Sequence, residues 1–258
     1  MPQSVPWRCT STLAAMVLAC ASCTASGAAW PAPDPATWPG LAAALEHERA
    51  ERPAAPWAAV LRFAVFEPIG RRTIEGRGGI AIAPGAAARM ILVGGAGSTV
   101  LDAWITRDRW RVAVPPARIV RRGGSDSPGD LPVGFLRWWF VAPLAGTLVA
   151  AEATPTGDAW LLHDGAAAVE LRSAPCGSDN LGHLLDATRR EQGRKERVSE
   201  CRTSAAPAPG DHASYVDESS GLKVDIAIES VATSPPEADA FRDPEAPDAE
   251  GASTVRAP

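Results

Sequence analysis

The chain has 258 residues, of which 46% are hydrophobic and 21% charged, and its formal net charge is −5. That is apolar material enough for a sizeable core in one large domain or two small ones. The acidic balance argues against a nucleic-acid partner, which needs a concentrated basic surface, and no apolar run approaches the roughly 20 residues of a spanning helix.

Residues 10–19 are mostly apolar behind one early charge, Arg8. A short apolar run after a basic start and before small residues describes an export signal rather than a membrane span. At its end, Val17-Leu18-Ala19-Cys20 resembles the lipobox of bacterial lipoproteins, in which a small residue precedes a cysteine that is acylated and becomes the new N-terminus. Cys23, behind Ala21-Ser22, is the alternative, and an ordinary secretory signal cut near Ala25 or Ala28 is the competing reading. The lipobox implies a signal peptide over 1–19 and a membrane partner reached through the lipid. Each buried methylene contributes about 0.8 kcal/mol, so several acyl chains hold firmly. Neither Ala21 nor Thr24 is the Asp that favours inner-membrane retention in enteric bacteria, so the expected place is the outer membrane, facing the periplasm. Residues 20–40, rich in Ala, Pro and Gly without periodicity, read as anchor and flexible tether.

From residue 41 to residue 233 the pattern is that of a folded domain. "LAAALEHERAERP" (41–53) reads as an amphipathic helix stopped by Pro53, with His47 among its surface charges. Short segments rich in β-branched and aromatic residues follow at 57–66, 73–83, 88–94, 99–106 and 109–115, separated by turns of two to five residues. Such short connections imply an antiparallel meander. In "RWRVAVP", Trp110, Val112 and Val114 alternate with Arg109 and Arg111, so one face is apolar. Arg118, Arg121 and Arg122 read as a solvated strand end.

"SDSPGDLPVGFLRWWFVAPLAG" (125–146) breaks the alternation. With Asp130 as N-cap and Pro132 in the first turn, a short helix is expected over Leu131–Val141, ending before Pro143. Phe135, Leu136, Trp139 and Phe140 are too bulky for a solvated surface. Strands resume at 147–154, 159–164, 167–173, 212–217 and 222–232. The charged stretch between Cys176 and Cys201 reads as helical. In an oxidising compartment these two cysteines are expected to pair, which the chain-entropy model values at roughly 3 kcal/mol. From Ser234 to residue 258, Pro, Ala, Asp and Glu dominate, as in a disordered acidic tail.

Catalytic motifs are missing. "GGAGS" is not a nucleophile elbow, and there is no Walker A, GxGxxG, HExxH or EF-hand pattern, so no cofactor and no metal site is expected. His163 and Asp164 are adjacent, but neighbours in a strand point to opposite faces. The expectation is a protein that is not an enzyme.

The order of elements resembles the LolA/LolB-like fold of periplasmic lipoprotein-trafficking proteins, over about residues 40–242. The match rests on "LPVGFLRWWFVAPLAG", carried by Leu131, Pro132, Leu136 and Trp139, and on "LKVDIAIESVATSPPEADAFRDPE", with Phe241 after the last strands. The resemblance implies a mainly β (α+β) fold: an antiparallel incomplete β-barrel covered by short helices, holding acyl chains or another hydrophobic ligand in its concavity and serving lipoprotein localisation. The expected cavity floor is Ile80, Ile82, Leu92, Trp104, Trp110 and Val112, and the expected lid is Phe135, Leu136, Trp139 and Phe140. LolB-like proteins carry a bulky apolar residue at a hairpin tip; the corresponding turn here, Gly94–Ser98, has none. The alternative is a structural or interaction lipoprotein with a packed barrel and no ligand.

Overall fold

The computed structural model describes residues 30–32, 34–68, 70–124, 134–177 and 182–244. Cys20, Cys23 and the expected signal peptide lie outside the described residues, as do Asp130, Leu131 and Pro132. The elements below belong to one compact unit, Pro31–Pro258. They begin with a helix α1 (Trp38–Ala50), three residues earlier than its apolar pattern suggested because the chain already turns helical after Thr37. Its buried side is Leu41 and Leu45.

Thirteen strands follow: β1 (Trp57–Glu67), β2 (Arg72–Ala83), β3 (Ala87–Gly94), β4 (Thr99–Thr106), β5 (Arg109–Val114), β6 (Ile119–Gly124), β7 (Thr147–Thr154), β8 (Gly157–Asp164), β9 (Ala167–Cys176), β10 (Gly182–Glu191), β11 (Arg194–Arg202), β12 (His212–Asp217) and β13 (Leu222–Val231). They form one antiparallel sheet in the order β6-β5-β4-β3-β2-β1-β13-β12-β11-β10-β9-β8-β7. Every strand pairs with its sequence neighbour except β6 with β7, and β1 pairs with β13. The sheet is therefore an unclosed meander with its gap between β6 and β7. That is the open antiparallel barrel with helices implied by the LolA/LolB-like resemblance.

Between β6 and β7 in the chain lies a π-helix, Phe135–Val141, in which Ala142 N–H donates to Arg137 O, five residues back, at 2.9 Å. Phe135, Leu136, Trp138, Trp139 and Val141 are all buried. Arg137 is its one charged residue; a helix this apolar belongs inside a core, and this one packs against β2, β3 and β4. Leu61 and Phe63 of β1, Ile80 and Ile82 of β2, Met90 and Leu92 of β3, Trp160 of β8, Leu171 of β9 and Tyr215 of β12 join it in one cluster. Strands from both halves of the sheet thus turn the same face to the same helix.

Two expectations about the chain need correction. The stretch between the cysteines is not a helix but the hairpin β10–β11. Its Leu, Ala, Arg and Glu are good helix formers, yet tertiary pairing overrides that weak preference. Gln192 (φ 48°) and Gly193 (φ 82°) are both left-handed, the two-residue turn that matches strand twist, and Glu191 faces Arg194 across it. Cys176 and Cys201 are disulfide-bonded, with Cα atoms 6.1 Å apart. The bridge passes over Gly182, where a Cβ would lie 2.8 Å from Cys176 Sγ and 3.2 Å from Cys201 Sγ.

The second correction concerns the acidic tail. Its first part is folded: Ala238–Phe241 forms a 3-10 turn, and Trp104 Nε1 donates to Phe241 O at 2.7 Å. Residues 245–258 lie outside the described residues. Arg121 and Arg122, taken for a strand end, sit on the edge strand β6.

Candidate functional site: a crevice beneath the π-helix

Alternation decides what each strand offers the interior. Ile80 faces Ala59 and Met90 across its ladders, and Ile82 faces Ala88. Ile105 faces Trp110, and Ala103 faces Val112. Ile80, Ile82, Leu92, Trp110 and Val112 therefore share the inner face with the buried Phe135, Leu136 and Trp139. Phe140 is partly buried, with edge contacts to Trp57 (6.2 Å between centroids) and Phe135 (5.1 Å).

Trp104 does not belong to this floor. It pairs with Arg89 and Arg111, one position out of phase with Ala103 and Ile105, so its indole is on the outer face. There it is covered by the chain around Phe241 and by Arg109, whose guanidinium carbon lies 5.6 Å from the ring centroid. Its burial, at 3% exposure, comes from the C-terminal segment and not from the barrel interior.

Where the π-helix meets β1, β2 and β13 it leaves a crevice. Trp57, Leu61, Ile80, Trp139, Phe140, Ile226 and Ile228 are its aromatic and aliphatic wall, and Arg52, Glu200, Arg202 and Asp211 a charged part. Of the residues singled out from sequence, Ile80, Trp139 and Phe140 line it; Ile82, Leu92, Trp110, Val112, Phe135 and Leu136 are core beside it. Its free volume is about 50 Å³, against roughly 300–1,000 Å³ for a pocket that encloses a drug-sized ligand.

The charged side chains have a simple origin. On β11 the residues Glu196, Val198, Glu200 and Arg202 alternate onto the inner face, so a strand that reads as solvated carries carboxylates into the core. At one end Glu196 accepts from Tyr215 Oη at 2.7 Å, lies 3.3 Å from Arg194 and 3.6 Å from Arg189, and sits against Gly134 at the start of the π-helix. Burial, then the neighbouring Glu196 carboxylate, pushes the Tyr215 phenol far above its ordinary value, so it serves as a neutral donor. At the other end Arg52, which follows α1, reaches Glu200 Oε2 at 2.6 Å and lies over Trp139 with 4.6 Å from guanidinium carbon to ring centroid. Close by, His183 Nε2 is 2.9 Å from Glu48 Oε1. Burial raises the Glu48 carboxyl, but His183, Arg52 and Arg202 outweigh it and hold the group below its ordinary value.

No family model and no curated protein matches the chain. Among solved structures, it is similar to a LolA superfamily protein from Nitrosomonas europaea at 11% identity and TM-score 0.45, over 79% of this chain and 97% of that one. A domain named for outer membrane lipoprotein sorting, from Vibrio parahaemolyticus, gives 9% identity and TM-score 0.40 over 78% and 95%. A DUF1329 family protein from Desulfovibrio piger gives 11% and 0.43 over 79% and 95%. Likeness this distant has no bearing on what the crevice does.

Among the described residues no group of three or more His, Cys, Asp and Glu side chains is placed to hold a metal ion, and no helix is long and apolar enough to cross a membrane. His163 is exposed, and Asp164 is one position out of phase with it on β8. The sequence reading missed Arg52, Glu200, Arg202 and Asp211. The available signal was the alternation of residues 196–202, hidden by the helical reading of that stretch.

Proposed function

We propose that the protein is a lipid-anchored lipoprotein of the bacterial envelope, held in the outer membrane and facing the periplasm. In this reading it binds an acyl chain or another hydrophobic ligand, without catalysis, between its π-helix and its sheet, and serves lipoprotein localisation. The observation that carries it is the aromatic-walled crevice where Trp139 and Phe140 of a short helix meet Ile80, Leu61 and Ile226 of the sheet. The lipobox ending in Cys20 supports the anchor. A methylene chain needs only a dry apolar wall, and this wall has one movable side. The π-helix is no strand of the sheet and is held to the β2–β3 turn by Gly85 N–H donating to Val141 O at 2.6 Å, so a ligand that parts it from β1 and β2 widens the crevice without breaking a ladder.

The about 50 Å³ of free space favours a second reading, a packed interaction lipoprotein with no ligand. Full-length protein carrying Cys20→Ser and Cys23→Ser, which cannot be acylated, separates the two. Titration with dodecanol, followed by tryptophan fluorescence and native mass spectrometry, is expected to give a stoichiometric complex. If neither dodecanol nor a fatty acid binds, the packed reading holds. Intact mass of the mature wild-type N-terminus tests the anchor and decides between Cys20 and Cys23.

A further inference from the structure

Arg52 is almost fully buried, its side chain 8% exposed, and only part of its hydrogen-bonding capacity is used. Nη1 donates to Glu200 Oε2. Nε and Nη2 are buried without a partner. These two form one edge of the guanidinium fork, the edge that grips both oxygens of a carboxylate or phosphate at once. The carboxylates nearby are committed elsewhere. Glu200 is shared with Arg202, whose Nε is 3.7 Å from the same Oε2. Asp211 accepts from Thr203 N–H and hydroxyl and from Ala208 N–H, and Glu48 faces His183. Burial, and then the like charge of Arg52, holds the Arg202 guanidinium below its ordinary value against the opposing pull of Glu200, Glu48 and Asp211.

The same guanidinium rests on Trp139, whose ring is also crevice wall. We infer that the crevice takes an amphiphile with an anionic head: two acid oxygens accept from Nε and Nη2 of Arg52 while the apolar chain runs along Trp139, Phe140 and Ile80. This rests on the hydrophobic-ligand reading above and specifies its ligand class. Head and chain are recognised a few ångströms apart because Trp139 belongs to both.

The test uses the full-length Cys20→Ser/Cys23→Ser protein at pH 8 with dodecanoate, dodecyl phosphate, dodecanol, acetate and inorganic phosphate as probes, read by tryptophan fluorescence and calorimetry. Dodecanoate and dodecyl phosphate are expected to bind at least about tenfold more tightly than dodecanol, the usual scale of a charge-assisted hydrogen bond. Arg52→Gln removes that preference, so that the dodecanoate and dodecyl phosphate Kd values fall within about twofold of the dodecanol Kd of the same variant. Glu200→Gln, which removes the competing carboxylate charge at Arg52, widens the preference of both anions over dodecanol, so the inference stays testable if Arg52→Gln fails to fold. Equal binding of dodecanoate and dodecanol, unchanged in both variants, would overturn the head-group inference and leave the hydrophobic-ligand reading standing. Acetate or phosphate binding as tightly as its dodecyl counterpart would overturn the amphiphile and leave a simple anion site. If no dodecyl compound binds, the hydrophobic-ligand reading itself fails.

Discussion

Two glycine-to-alanine substitutions in helical backbone are expected to move stability in opposite directions. Gly40 lies in α1, exposed, and a Cβ there would meet nothing within 4 Å. Alanine at such a site stabilises by about 0.4–1 kcal/mol, chiefly by restricting the unfolded chain. Gly134, at φ −55° and ψ −52°, is also right-handed helical, so the same gain applies. Its Cβ, however, would overlap Glu196 Oε1 and come within 3.0 Å of Glu196 Cδ. A flexible surface carboxylate would swing aside. This one is only 3% exposed and is held by Tyr215, Arg194 and Arg189. Overpacking costs about 1–3 kcal/mol, and pulling the carboxylate off Tyr215 leaves a buried charged acceptor short of a donor, about 1–3 kcal/mol more. After the entropic gain, Gly134→Ala is expected to lose about 1–6 kcal/mol. For a domain of this size that lowers Tm by roughly 2–24 °C, while Gly40→Ala raises it by roughly 1–4 °C. Thermal and urea unfolding of both variants, followed by near-UV circular dichroism, measures the pair. If Gly134→Ala proves neutral or stabilising, the Glu196 cluster does not pin the entry of the π-helix and the reasoning fails.

Reducing Cys176–Cys201 is expected to cost about 3 kcal/mol on the chain-entropy model; a urea midpoint unmoved by dithiothreitol would count against a constraining bridge. Trp160 Nε1 donates to Leu41 O at 2.8 Å in a buried setting, so Trp160→Phe should cost about 2–3 kcal/mol, with α1 amides losing exchange protection first. Glu48→Gln should weaken the fold at neutral pH. Because the Glu48 carboxyl is held below its ordinary 4.5, its contribution is present above that value and is lost as pH falls through the folded-state pKa. The wild-type advantage over Glu48→Gln should therefore shrink in acid, and a gap constant from pH 7 to pH 3 would show that Glu48 plays no such part.

Most of the sheet is legible in the sequence because ten of its strands are short runs rich in β-branched, aliphatic or aromatic residues bounded by turn residues. Leu222, Val224 and Ile226 on one face, with Lys223 and Asp225 on the other, is a pattern that nothing but a half-buried strand explains. The hairpin β10–β11 is illegible for the converse reason. Its inward positions include Glu196, Glu200 and Arg202, so the apolar alternation that marks a strand is absent where the core is polar. The candidate site suffers from the same effect. Its aromatic wall is visible as an improbable density of Phe and Trp at 135–140, but the charges beside it look like any solvated run until pairing sets their facing. Trp104 shows the limit from another side: a large indole can be buried on either face, and only the register of β4 against β3 and β5 tells which.

The pairing of β1 with β13 sets the order in which the fold can be completed. Every other ladder joins strands adjacent in the chain and can close as soon as the second strand is available. β1 holds one edge open while all the intervening strands are synthesised, and Leu61, Phe63 and Val65 find Ile228, Ile226 and Val224 only at the end. Loss of the last strand therefore uncovers the middle of the sheet rather than trimming its margin. A chain stopped before Leu222 adds two sticky edges, β1 and β12, to the β6 and β7 edges that the complete sheet already has.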